Sequence, residues 1–187
     1  MIYLLRHGLD NENYIGGWSD IDLSNEGVKQ VEEVCKYIKD NSLIIHKIYT
    51  SDIKRAITTS KIIKSNALSD VLIEPTKILR ELNKGALNGL DKKKALILYS
   101  QYFPLPNLTT KYPNGESMQL FYLRIKKNLD TILKEDNSLI VTHRGVINMI
   151  YYILNEIALD MNNERFLVEH ASLHEYNPLT KSIKKIV

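Results

Sequence analysis

The chain has 187 residues, of which 44% are apolar and 25% are charged. This composition is typical of a globular protein and excludes disordered and collagen-like chains. The net charge of +3 is too small to predict a nucleic-acid groove, and the lone cysteine, Cys35, excludes an internal disulfide and a multi-thiolate zinc site. No apolar run reaches the roughly 18 residues of a membrane span, and no signal-peptide pattern follows Met1. We therefore expect one cytoplasmic domain over residues 1–187 that binds neither nucleic acid nor membranes.

The first part of the sequence alternates between strand and helix patterns. Residues 2–5 are apolar strand formers that stop at the polar Arg6 and His7. Ser24 is placed to cap an amphipathic helix, because apolar residues then recur at three- and four-residue spacing. The next predicted elements are a strand at 46–50, a helix after Ser51, and a third strand at 71–74 that ends at Pro75.

The second part begins with short polar pieces between residues 79 and 116, which we interpret as a lid over one end of the sheet. A long helix should start after Ser117, and a central strand should cover 138–142 with His143 at its end. Residues 146–157 are apolar on almost every side, as expected of a helix packed on a sheet. The tail, 171–176 and 182–187, is typical of a hairpin.

Alternating strands and helices predict an α/β fold, a three-layer α/β/α sandwich. Its central sheet should be mostly parallel, with one antiparallel edge strand. Ligands of such folds bind beyond the carboxyl ends of the strands. Two of these ends carry histidines, His7 and His143, so we expect both imidazoles to face one crevice.

The positions of the arginines indicate which ligand the crevice binds. The chain has six arginines and nineteen lysines, and Arg6, Arg55 and Arg144 fall at two predicted strand ends and at a helix start. A guanidinium matches the oxygens of a phosphoryl group with two parallel hydrogen bonds. Cations also lower the pKa of a nearby imidazole, which keeps one ring nitrogen able to attack phosphorus. The pattern therefore favours a site for a tetrahedral oxyanion.

The same residues lie in a series of blocks that resembles the histidine phosphatase superfamily, the phosphoglycerate-mutase-like proteins, over nearly the whole chain. LLRHGLDNEN is similar to the Arg-His-Gly signature with its asparagine, here Asn13. GGWSDIDLSNEGVKQ resembles the segment that follows. YTSDIKRAITTSKII contains Arg55, LRELNKGALNGL contains Glu81, and NGES and LIVTHRGVI complete the series, the last with His143.

The resemblance implies a role for each of these residues. His7 would attack the phosphoryl group and become a phosphohistidine, while Arg6, Arg55, His143 and Asn13 would hold the phosphoryl oxygens. Glu81 would protonate the leaving group and then take a proton from the attacking water. Neither a metal nor an organic cofactor is expected.

The sequence also departs from the family pattern. Leu9 and Asp10 stand where a polar residue and then Thr or Ser are usual, and a carboxylate near a phosphate site is unfavourable unless it turns away. Asp10 therefore either caps the loop or disfavours some anionic substrates. Arg144, at a position that is commonly glycine, either binds a second anionic group or points away. His170 and His174 have a spacing that suits a metal on a helix, but they fall at a predicted strand, so no metal site is expected.

We expect a metal-independent phosphomonoesterase that acts on a small phosphorylated metabolite, as a monomer or homodimer. The segment from Leu90 to Gly115 is short and lacks the arginine-rich insertion of the mutases, but the run Lys92, Lys93, Lys94 keeps phosphoglycerate-mutase-type transfer as an alternative. Successive helix residues are about 100° apart, so at most two of these lysines can reach one pocket. A catalytically silent binding module is a further alternative. Some aromatic residues either line the pocket or serve as packing: Trp18, Tyr99, Tyr102, Phe103 and Tyr112.

Overall fold

The computed structural model describes residues 1–162 and 165–187. In this part of the chain the strands form one six-stranded sheet of order β3-β2-β4-β1-β5-β6. The strands are β1 (Ile2–Arg6), β2 (Lys47–Ser51), β3 (Leu72–Thr76), β4 (Ser138–Thr142), β5 (Leu173–Asn177) and β6 (Ser182–Lys185). The helices are α1 (Asn25–Asp40), α2 (Lys54–Ala67), α3 (Lys92–Leu98), α4 (Met118–Ile132) and α5 (Arg144–Leu154).

The sheet is mostly parallel, as predicted. β1 pairs in parallel with β4, and β2 pairs in parallel with both β4 and β3. The antiparallel part is the C-terminal hairpin, in which β5 runs against β1 and β6 runs against β5 at the edge of the sheet. All described strands except β5 therefore run in the same direction, and their carboxyl ends lie along one edge of the sheet.

Apolar cores lie on both faces of the sheet, which confirms the predicted three layers. Successive strand side chains point to opposite faces. Leu4 of β1 packs in the cluster that α4 and α5 cover, whereas its neighbour Leu5 packs in the cluster that α1 and α2 cover. The central β4 is buried along its whole length. A mostly parallel sheet needs such cover on both faces because its strands are apolar throughout.

Serine side chains cap two helices: Ser24 as predicted, and Ser117, after which a helix was predicted to start. The Ser24 hydroxyl accepts a hydrogen bond from the Gly27 amide at 3.0 Å, and the Ser117 hydroxyl accepts one from the Leu120 amide at 3.2 Å. Each cap satisfies an amide that has no partner inside its own helix. The chain thus enters α1 and α4 at fixed points, next to the loops that carry the candidate site.

Two predicted boundaries differ from the structure. Pro75 lies inside β3 rather than ending it. Proline has no N–H to donate to a neighbouring strand, and this is tolerated because β3 is an edge strand that is paired on one side alone. α5 begins at Arg144, directly after His143, and ends at Leu154. None of the helices in the described part of the chain combines the length and the hydrophobicity that a bilayer crossing requires.

Residues 79–116, predicted as a lid, fold into short pieces that include α3 and 3-10 turns at Gly85–Leu87 and Ser100–Tyr102. The segment is anchored by apolar side chains: Leu87 and Ala95 are fully buried in the core on the α4 and α5 face. Asp91 caps α3 by accepting a hydrogen bond from the Lys94 amide at 3.0 Å. The segment is thus packed on the fold, and its polar residues are held in place beside the strand ends.

Candidate active site at the carboxyl ends of the strands

The pairing of β1 with β4 brings the two predicted histidines together. Arg6 is opposite Thr142 in the ladder, and the His7 amide donates a hydrogen bond to the Thr142 carbonyl at 3.0 Å. The next residue on each strand is therefore a histidine. The ring centroids of His7 and His143 are 5.1 Å apart, with the rings edge to face.

The hydrogen bonds of His7 define its tautomer. Nδ1 is 2.7 Å from the Gly8 carbonyl, which can only accept, so Nδ1 carries the proton. Nε2 accepts a hydrogen bond from Nε of Arg55 at 3.1 Å. The pKa of His7 lies well below its usual value, first because the ring is buried and then because of the charges of Arg55, His143 and Arg6. His7 is thus a neutral imidazole whose Nε2 lone pair faces a guanidinium.

Gly8 lets the loop after β1 lie against the start of α1. A Cβ on Gly8 would be 2.3 Å from the Gly27 carbonyl oxygen, a distance that a side chain cannot adopt. The Leu9 carbonyl accepts a hydrogen bond from the Ser24 amide at 2.8 Å. These contacts fix the backbone on which the His7 ring rests.

Two arginines flank His7 and are held by protein oxygens. Arg55, on the first turn of α2, is only 1% exposed and donates to the Gly17 carbonyl at 2.8 Å. Arg6 donates from Nη1 to the Val168 carbonyl at 2.8 Å. Its Nε is buried and has no hydrogen-bond partner among the described residues. A buried donor without a partner is costly, so Arg6 Nε suits an anionic ligand.

His143 lies behind His7 and is fully buried. Its Nε2 is 2.8 Å from the hydroxyl of Ser51, at the end of β2, and its Nδ1 has no partner in the part of the chain that the structure describes. Burial, followed by Arg55 and Arg6, lowers its pKa well below the usual value. When Ser51 donates to Nε2, the ring proton sits on Nδ1, where it is available to another acceptor.

Glu81 is fixed on the wall of the same site. Its Oε1 accepts a hydrogen bond from the Leu82 amide at 2.8 Å, and its Oε2 accepts one from the Gly145 amide at 3.0 Å. Its carbonyl accepts hydrogen bonds from Nε1 of Trp18 at 2.7 Å and from Arg124 at 3.1 Å. Backbone and carboxylate are both held, so the carboxylate has a defined position at the N-terminus of α5.

Arg6, His7, Arg55 and Glu81 line a cavity of about 690 Å³, and His143 is buried behind His7. The volume of the cavity is in the range of small-molecule sites. The charged and titratable residues that line it are Arg6, His7, Asp10, Glu12, Arg55, Glu81, Lys84, Lys92, Arg144 and His170. Aromatic side chains of the lid segment form another part of the wall: Tyr102, Phe103 and Tyr112. The cavity therefore offers a cationic end near His7 and a partly apolar wall formed by the lid segment.

The structure places the other candidates of the sequence analysis as follows. Arg144 lines the cavity rather than pointing away, and of the lysine run only Lys92 is among the described lining residues. Asp10 points into the cavity. Asn13 is exposed and lines a neighbouring depression beside residues 22–24, and it is not among the described residues that line the cavity with His7.

Sequence reasoning missed the place of His170 in the site. Its ring centroid is 5.7 Å from that of His7, and its Nε2 contacts Nη2 of Arg6. Burial, and then the charge of Arg6, lower its pKa to about 3. His174 is separate, since its ring bonds to the hydroxyls of Tyr151 and Ser172. The predicted C-terminal hairpin could have indicated this position of His170. Because β5 is antiparallel to β1, it starts where β1 ends, and the residues that precede β5 therefore lie beside His7.

Comparison with known proteins gives the family of this fold and site. The family model of the histidine phosphatase superfamily (branch 1) matches residues 2–183. A 2,3-bisphosphoglycerate-dependent phosphoglycerate mutase from Buchnera aphidicola is 30% identical, with 98% of this chain and 96% of the mutase covered. The fold is similar to that of the alpha-ribazole phosphatase from Shigella flexneri (TM-score 0.78, 21% identity, 100% and 94% covered). It is also similar to that of a mycobacterial glucosyl-3-phosphoglycerate phosphatase (TM-score 0.76, 17% identity, 100% and 96% covered).

Proposed function

This chain belongs to the histidine phosphatase superfamily, and we propose that it is a phosphomonoesterase that acts on a small phosphorylated metabolite through a phosphohistidine at His7. The observation that carries the proposal is the state of the His7 ring. A buried, neutral imidazole with its proton fixed on Nδ1 presents a lone pair on Nε2. Such a nitrogen is a nucleophile at neutral pH without further activation.

The first half of the reaction transfers the phosphoryl group to the protein. A bond forms between phosphorus and Nε2 of His7 while the ester bond from phosphorus to oxygen breaks. Arg6 and Arg55 flank the nucleophile. Nε of Arg6 is a donor that lacks a partner within the described residues, and Nδ1 of His143 is another when Ser51 donates to Nε2. These groups stabilise the negative charge on the phosphoryl oxygens during transfer.

Glu81 supplies the proton that the leaving oxygen needs. Its carboxylate, held by the amides of Leu82 and Gly145, lines the cavity that also holds His7. In the second half, Glu81 takes a proton from water, the water oxygen bonds to phosphorus, and the bond from phosphorus to His7 breaks. Protein groups thus account for each proton and each bond.

Phosphoglycerate-mutase-type transfer is the second candidate, because Lys84, Lys92 and Arg144 also line the cavity and offer charge for another anionic group. One observation favours hydrolysis. The alignment with the Buchnera mutase spans 227 positions, more than the 187 residues of this chain, so that mutase has insertions which this chain lacks.

The test is release of phosphate from p-nitrophenyl phosphate and from a panel of phosphorylated metabolites. We expect hydrolysis by the wild-type protein, loss by at least about 10³-fold in His7→Ala, and no loss in His46→Ala, which changes an exposed histidine. Rapid acid-free quench should trap an acid-labile phosphoprotein. Activity that requires a bisphosphate primer, with little hydrolysis, would establish the mutase reaction instead. Turnover that survives in His7→Ala would refute the nucleophile.

A further inference from the structure

Asp10 places a carboxylate at the cationic end of the cavity. Its side chain is 14% exposed, and Oδ2 lies 3.4 Å from Nε of Arg55. That same nitrogen donates to Nε2 of His7. The other carboxylate oxygen, Oδ1, is 4.0 Å from Nε2 of His170, which in turn contacts Arg6. Asp10 therefore contacts Arg55 and lies near Arg6 through His170, and the proposed function assigns the phosphoryl group to these two arginines.

The loop that carries Asp10 is held by contacts that do not need the carboxylate. The backbone of Asp10 forms an antiparallel bridge with Leu23. The Leu9 amide donates to the side-chain oxygen of Gln30 at 2.9 Å, and the Leu9 carbonyl accepts from the Ser24 amide. Changing the side chain at position 10 should therefore leave the course of the loop intact.

The charges around Asp10 come from every element that packs against it. Arg55 on α2 and Arg6 on β1 are attractive, Glu12 on its own loop is repulsive, and His170 before β5 is neutral. Burial raises the pKa of the Asp10 carboxyl despite the two arginines. A phosphate dianion that entered this space would meet the two cations and a buried like charge, and a like charge that close weakens its binding.

We propose that Asp10 is an internal competitor for the phosphoryl group: its carboxylate occupies the Arg55 side of the anion site, and a phosphate ligand binds by displacing it. This inference rests on the proposed function, since it takes the Arg6 and Arg55 end of the cavity as the phosphoryl site. One consequence is that the product, inorganic phosphate, is held weakly and leaves easily. Asp10 would thus determine the affinity of the site without taking part in the bond changes.

The test compares the affinity for inorganic phosphate in matched variants. Asp10→Asn removes the charge and keeps the shape, and Asp10→Ser removes both, so that one of them serves if the other fails to fold. Asp20→Asn is the control, because it makes the same charge change at an exposed position of the same loop. Dissociation constants come from calorimetry at pH 7.5, together with the inhibition constant of phosphate against hydrolysis of p-nitrophenyl phosphate.

We expect the dissociation constant of phosphate to fall at least tenfold in either Asp10 variant and less than twofold in Asp20→Asn. An unchanged or larger constant in the folded Asp10 variants, or no measurable binding in them, overturns the inference. The proposed function fails differently. In that case the wild-type protein hydrolyses no phosphomonoester, whereas failure of the inference leaves hydrolysis by the wild-type protein intact and phosphate binding no tighter in the Asp10 variants.

Discussion

Replacing Gly145 by alanine should separate the position of Glu81 from its chemistry. A Cβ at this position would lie 2.1 Å from Oε1 of Glu81 and 2.9 Å from Cε1 of Phe121, whereas real Cβ atoms essentially never come within 3.0 Å of another atom. The carboxylate must therefore move by about 1 Å, and a displacement of that size costs roughly 100-fold in rate. The move also breaks the hydrogen bond from the Gly145 amide.

The loss should depend on the leaving group. Alkyl phosphates need a proton from Glu81, so kcat/KM for them should fall by about 100-fold. Nitrophenolate leaves without protonation, so its ester should lose much less. Gly16→Ala is the control for adding a methyl group at the cavity without a clash, because its Cβ would make only an ordinary contact at 3.8 Å, with Nη2 of Arg55. The Glu81→Gln variant should show the same dependence on leaving group.

The assay is steady-state hydrolysis of both ester types by Gly145→Ala, Gly16→Ala and Glu81→Gln, with thermal unfolding to show that each is folded. Gly145→Ala in the Glu81→Gln background should cause little further loss, because both changes remove the same group. Equal losses for alkyl and nitrophenyl esters would refute Glu81 as the acid. Full activity of folded Gly145→Ala would refute the claim that its position matters.

Two further predictions concern stability. Burial lowers the pKa of His174 to about 4. The unfolded chain therefore binds more protons below pH 6.5, and stability falls as the pH falls. Urea titrations at pH 7 and pH 5 give the unfolding free energy that each protein loses over this range. The loss should be about 2 kcal/mol smaller in His174→Gln than in wild type. His46→Gln, which changes an exposed histidine, should lose as much as wild type. Arg124 makes a two-point contact with Glu116 and donates to the Glu81 carbonyl. Arg124→Lys should lower the unfolding free energy, measured by urea titration, by about 1–3 kcal/mol, because lysine cannot make the two-point contact of the guanidinium. It should also slow the turnover of alkyl phosphates. An Arg124→Lys protein that is unaltered in both would contradict this role.

Local patterns were sufficient for most of the fold. Ser24 caps α1 as expected, and α4 starts after Ser117 as expected, because helix starts depend on residues within one turn. The approach of His7 to His143 was predictable too, since parallel strands place their carboxyl ends together. Boundaries failed where context decides, as at Pro75, which the sheet edge tolerates.

Side-chain directions in loops could not be predicted in the same way. Asp10 turns inward because Arg55, on a distant helix, offers it a charge partner. Asn13, only three residues later, is exposed and is not among the described residues that line the cavity. No periodicity distinguishes the two positions, because a loop side chain follows whatever the rest of the fold places beside it. The position of His170 beside His7 was not predicted for the same reason, although the predicted hairpin indicated which end of β1 it would lie near.

The order of the strands determines when the protein can begin to work. β4 lies between β1 and β2, and β5 is the other neighbour of β1. During synthesis β1 therefore has no strand partner on either side until Ser138–Thr142 has been made. An apolar stretch left uncovered for that long is a natural target for nascent-chain chaperones. A polypeptide that terminates before β4 lacks the strand that pairs with β1 and positions His7, so partial translation products should be inactive.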